Sequence, residues 1–158
     1  MKERKFVYIC CAEENGSVLT ERFKEMFRRL IWADQIPVNS YLEPLADLDT
    51  SILTPYQIAK CKEYYILKRI DCIGTCDVIL LADGWRQSHV CLAAYHIAIA
   101  MGKEIWYENE RDAREHLTYE FVAKYYPDSY PLNSKQKGEL DDYIAKGLCR
   151  IHSFLKEK

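Results

Sequence analysis

The residues best suited to chemistry lie in two turns. One is Asp83-Gly84-Trp85-Arg86-Gln87-Ser88, which sets a carboxylate, a glycine, an indole, a guanidinium and a hydroxyl within six positions. Where such a turn leaves a buried strand and enters a helix, the first-turn amides and the Ser88 hydroxyl suit an anion or a sugar hydroxyl. Trp85, a large aromatic in a polar turn, suits stacking of a base or a sugar. The competing reading makes the turn a lid over the sheet end, with Ser88 acting only as a helix cap. The other turn follows Tyr8-Ile9-Cys10-Cys11-Ala12 and carries the carboxylates of Glu13 and Glu14 before Asn15.

Other reactive side chains are less informative. Seven cysteines (Cys10, Cys11, Cys61, Cys72, Cys76, Cys91 and Cys149) include no Cys-x-x-Cys pair and fall mostly in apolar runs. Reduced, buried thiols account for them. A zinc site from Cys72, Cys76 and a histidine lacks a metal-binding spacing, so no metal and no cofactor is expected. Cys91, in the first turn of a helix, reads as a buried thiol or as an acidified one. His89 and His96 have no nucleophile or carboxylate partner in sequence, and neither a P-loop nor a Gly-x-Gly-x-x-Gly fingerprint is present.

The elements that must position these turns alternate along the chain. Phe6–Cys11 is a continuous apolar run, as in a strand covered on both faces. Ser17 is placed to cap an amphipathic helix running to about Ala33, with Leu19, Phe23, Phe27, Leu30 and Ile31 on one face. Ile36-Pro37-Val38 reads as a short edge strand, because proline cannot donate to a ladder. Asn39–Ser51 reads as a loop. Thr54-Pro55 begins a second helix, expected to end near Ile73 at Gly74. Asp77–Ala82 is the clearest buried strand, Ser88 caps a helix through Met101 that stops at Gly102, and Glu104–Tyr107 is a further short strand. This alternation predicts an α/β, Rossmann-like doubly wound parallel sheet of four to five strands with helices on both faces. In such sheets a ligand lies beyond the carboxyl ends of the strands, where Tyr8–Asn15 meets Asp83–Ser88. Residues 1–107 form this core.

Residues 108–158 read as a helical C-terminal extension packed on the same domain. Glu108–Glu115 is highly charged, and Tyr125–Pro131 is a turn-rich aromatic loop. A last helix from about Ser134 carries Leu140, Tyr143, Ile144, Leu148, Ile151 and Leu155 at helical spacing, a stripe for its own domain or for a partner subunit. Gly138 and Gly147 weaken that helix, so packing must hold it.

The chain has 158 residues, 49% apolar and 29% charged, with a formal net charge of −2. One globular domain of this size can bury a real core. The interspersed charge gives no reason to expect nucleic acid as a partner. No apolar run reaches the roughly 18–20 residues needed to cross a bilayer, and the N-terminus lacks the pattern of a signal peptide. A cytoplasmic protein without a membrane partner is expected.

The stretch Cys76–Ser88 resembles the nucleoside 2-deoxyribosyltransferase-like superfamily, most closely a small branch found in phages and bacteria. That branch shows a Cys-Asp start, an apolar strand, Gly-Trp-x-x-Ser, then Gly-Ala-x-x-Glu and a helix ending at glycine. Val7-Tyr8-Ile9 is similar to the family's opening Tyr-Ile-x-Gly strand, and Val38-Asn39 to its Asn-Pro. The resemblance spans about residues 5–107. It implies a nucleoside or nucleotide as the small-molecule partner, and homodimers or larger homo-oligomers. It also implies that any activity would be that of a 2-deoxyribosyltransferase or nucleotide N-glycosidase, in which a glutamate attacks the anomeric carbon. Aligned through Gly84-Trp85 and Ser88, that glutamate falls on Ala94, the preceding glycine on Val90 and an earlier acidic residue on Arg69. A methyl group can neither attack carbon nor stabilise a cation. The resemblance therefore implies a binding protein without the family's chemistry, with Tyr8, Cys10, Cys11, Glu13, Asp83, Gly84, Trp85, Ser88 and Ala94 around the ligand. An active enzyme using a displaced carboxylate (Glu13, Glu14, Asp71 or Asp83) and a ligand-free interaction module are the alternatives.

Overall fold

A computed structural model describes residues 3–12, 20–38, 50–129 and 131–151, without the side chains at 62, 65 and 150. Strands β1 (Phe6–Cys10), β2 (Ile36–Pro37), β3 (Val78–Leu81) and β4 (Glu104–Tyr107) form one parallel sheet in the order β2-β1-β3-β4. Parallel neighbours require crossover connections, and helices supply them. They are α1 (Glu21–Trp32), α2 (Pro55–Thr75) and α3 (His89–Ala100), followed by α4 (Glu110–Tyr125) and α5 (Ser134–Ile151). The order reverses between β1 and β3, so the sheet is doubly wound, as expected.

Alternation along each strand divides the core in two. Val7, Ile9, Val78, Leu80 and Trp106 face one side, where α1 brings Phe23, Met26 and Leu30, α4 brings Leu117, and α5 brings Ile144 and Ile151. Tyr8, Cys10, Ile79, Leu81, Ile105 and Tyr107 face the other, under Cys72 and Ile73 of α2 and Cys91, Ala94 and Ala98 of α3. The central strands are apolar throughout because both faces are covered. Helices α4 and α5 thus belong to the same core, mainly on the side of α1, with Ala113 reaching the other.

Proline explains the sheet's margin. β2 is an edge strand in which Pro37 has no ladder donor to lose, while the Val38 amide still donates to the Val7 carbonyl at 3.0 Å. At the amino ends of the strands, Lys5 and Glu104 form an ion pair of 2.6 Å.

Four boundaries differ from the sequence reading. Helix α1 starts at Glu21, capped by the Thr20 hydroxyl, which accepts from the Phe23 amide at 3.1 Å; Ser17 lies outside the described residues. Of the segment read as a loop, residues 50–52 form a short 3-10 turn and 39–49 lie outside the described residues. Thr54 and Pro55 do open α2, with a full capping box to Gln57, but α2 passes through Gly74 to Thr75. Gly74 keeps ordinary helical geometry; among the described residues the left-handed glycines are Gly84 and Gly102. The charged run after Glu108, to which the sequence reading gave no element of its own, is the start of α4, capped by Asn109, whose side chain accepts from the Arg111 and Asp112 amides.

Candidate functional site

Three chain segments leave the sheet at its carboxyl edge: Cys11-Ala12 after β1, Ala82–Gly84 after β3, and Glu108-Asn109 after β4. Glu108 joins them to α1. Its carboxylate accepts from the Asp83 amide at 2.8 Å and from the Arg22 guanidinium, with Arg29 at 4.0 Å. The Asp83 carboxylate accepts from the Gly84 amide at 3.1 Å and from the Asn109 side chain at 3.4 Å. Gly84 takes φ of 87°, a left-handed turn that a Cβ would strain. This turn sends the chain into a 3-10 segment, Trp85–Gln87, and then into α3. Ser88 caps α3, its hydroxyl accepting from the Cys91 amide at 3.2 Å.

Trp85 does not stand open at the crevice. It is 5% exposed, packed on Tyr95 at 5.0 Å and Tyr107 at 6.1 Å between ring centroids. The Arg86 guanidinium lies 4.8 Å from its ring centre. Asp112 holds the pair from α4, accepting from Trp85 Nε1 at 3.4 Å and from Arg86 Nη1 at 2.6 Å. This partner raises the Arg86 pKa further above its ordinary value.

The concavity at this edge lies between the turn after β3 and the start of α4. It has a volume of about 370 Å³ and is lined by Asp83, Gly84, Arg86, Asn109, Arg111 and Glu115, with Trp85, Gln87 and Asp112 also in its wall. That is the lower end of the range for small-ligand sites. Its wall is polar and carries both signs of charge, suited to a hydroxylated or phosphorylated ligand.

No protein-family model, curated protein or solved structure gives a significant match to this chain.

Of the residues singled out in the sequence, Asp83, Gly84 and Trp85 line the concavity, while Ser88 caps the helix that follows it. Tyr8 and Cys10 of β1 are buried beneath α2 and α3, Ala94 is buried on the sheet-facing side of α3, and Cys11 is buried on the opposite face. Glu13 and Glu14 lie outside the described residues. Burial pushes the Tyr8 hydroxyl and Cys10 thiol pKa values well up, and a hydrogen bond to Cys91 raises Cys10 further. Burial also drives Cys11 up to about 12. These groups are protonated core members at neutral pH. Among the described residues, no three His, Cys, Asp or Glu side chains converge on a metal position.

The sequence reading missed Glu108, Asn109, Arg111, Asp112 and Glu115. A usable signal is present: an Asn cap and two acids in the first turn, directly after the strand-like Glu104–Tyr107. The loop after β4 reaches the same sheet edge as the loops after β1 and β3.

Proposed function

We propose that the protein binds a nucleoside or nucleotide at the carboxyl edge of its sheet and does not cleave it. The observation that carries this reading is the polar 370 Å³ concavity beside the Asp83–Ser88 turn, walled by two arginines and three carboxylates. Arg111 supplies a guanidinium for a phosphate. Asp83 and Glu115 supply acceptors for sugar hydroxyls. Arg86, held over the Trp85 ring and half exposed, offers a planar cation on which a base stacks. Ala94 accounts for the missing cleavage: it is buried and brings no carboxylate to a sugar carbon.

Thermal unfolding in the presence of nucleosides and their 5′-monophosphates tests this. A ligand that binds only the folded state raises the melting temperature, and Arg111→Ala is expected to abolish the gain for monophosphates more than for nucleosides. No shift with any member of the panel would overturn the reading. Chromatography of the same mixtures is expected to show intact nucleoside; release of free base would instead establish the enzymatic alternative.

A further inference from the structure

Glu108 occupies a position built for an anion. Side chains along β4 alternate between the two faces, and Glu108 lies two residues beyond Trp106, which packs on the α1 side. The last rung between β3 and β4 is the Glu108 amide donating to the Leu81 carbonyl at 3.0 Å. Beyond it the Asp83 amide donates to a side chain instead, Glu108 Oε1 at 2.8 Å. The same oxygen accepts from Arg22 Nη2, in the first turn of α1. Arg29 follows Arg22 by seven residues, two turns along the same helix face, and brings Nη1 to 4.0 Å from Glu108 Oε2. Two guanidinium groups and a backbone amide thus converge on one carboxylate. They do so at the carboxyl edge, where ligands of open parallel sheets lie.

The resident carboxylate does not satisfy this cluster. One oxygen of Glu108 takes two donors, while the other stops short of a hydrogen bond to Arg29. Glu25 steadies Arg29 through Nη2 at 2.5 Å, and Nη1 faces the cluster. A phosphate monoester carries about −1.5 to −2 charge at pH 7 and three acceptor oxygens. That is enough to serve the Asp83 amide and both arginines at once. The approach lies on the arginine side, since Arg22 is 40% and Arg29 34% exposed against 14% for Glu108. We propose that Arg22, Arg29 and the Asp83 amide form an oxyanion site in which Glu108 is an internal stand-in, displaced when phosphate binds, free or as a monoester.

Neither arginine lines the concavity, so the proposal stands without a nucleoside there. Calorimetric titration of the full chain with inorganic phosphate, at constant ionic strength, tests it. The parent chain is expected to bind saturably. Glu108→Ala, which removes the competing carboxylate, is expected to bind at least about tenfold more tightly. Adding Arg22→Ala to that variant is expected to remove the gain, whereas adding Arg111→Ala, at the concavity, leaves it. Methyl phosphate in the same titration separates a monoester from the free ion, and binding of either supports the site. If Glu108→Ala does not fold, Glu108→Gln carries the same expectation, because it keeps an acceptor for the Asp83 amide and removes the charge. A parent chain without saturable binding, equal affinity in parent and variant, or a gain that survives the loss of Arg22 would each overturn the proposal.

Discussion

Two glycines in one helix have opposite meanings. A Cβ on Gly147 would sit 2.7 Å from both Cδ1 and Cδ2 of Leu117, so α5 approaches α4 through the space that a side chain would fill. A Cβ on Gly138 meets nothing within 4 Å. Gly147→Ala is therefore expected to cost about 1–3 kcal/mol through overpacking. Gly138→Ala is expected to gain up to about 1 kcal/mol from helix propensity. Urea denaturation of the two variants decides the matter, and equal effects of the same sign would contradict the assignment. From the sequence both positions read as propensity defects, because propensity is local and the Leu117 contact is not. Ala94 shows the opposite case. That a carboxylate is missing there is what the family resemblance implies, and the structure adds only that Ala94 is core.

At the scale of elements, the strands and the first three helices could be read because their signals agree: apolar runs, Thr54-Pro55, Ser88 and Gly102. Helix α4 was not legible. Its buried residues Ala113, Leu117 and Phe121 fall four apart, but Tyr119 is exposed on another face, Tyr125 at the next such position is half exposed, and charges crowd the first two turns. Apolar residues on several faces blur the period that marks an amphipathic helix. Missing α4 also hid half of the site, since Asp112 anchors Trp85 and Arg86 from its first turn. Asp112→Ala removes both acceptors and leaves a mostly buried indole donor unpaired. A loss of about 1–3 kcal/mol is expected, with a change in tryptophan emission at native conditions. Unchanged emission and stability would show that α4 does not hold the turn after β3.

For the whole molecule, the buried thiols set an alkaline limit. Burial raises Cys11 from 9.0 to about 12 and Cys76 from 9.0 to about 11. In the unfolded chain both thiols release their protons near pH 9, while the folded chain retains them. Above that pH the folded state binds more protons, so stability falls as pH rises. The contribution is intact below pH 9 and lost progressively through 11 to 12. The urea midpoint is expected to fall steadily from pH 8.5 upward, with a shallower slope in Cys11→Ala. A midpoint independent of pH over that interval would contradict this account. The apolar character of β1 revealed that it was buried, but not which face each cysteine took. That choice follows from register, which a single strand does not encode.

The central place of β1 also bears on how the chain is made. Phe6 donates its amide to the Asp77 side chain 71 residues later, and β1 finds its long partner only in β3. Until then β1 has the two residues of β2 alone to pair with. Synthesis begins at the amino terminus, so this apolar strand emerges from the ribosome well before its neighbour exists. Pairings of such separation slow folding and lengthen the exposure of unpaired strands. The strand that ends in the centre of the finished sheet is thus exposed to chaperones on the nascent chain until β3 follows it.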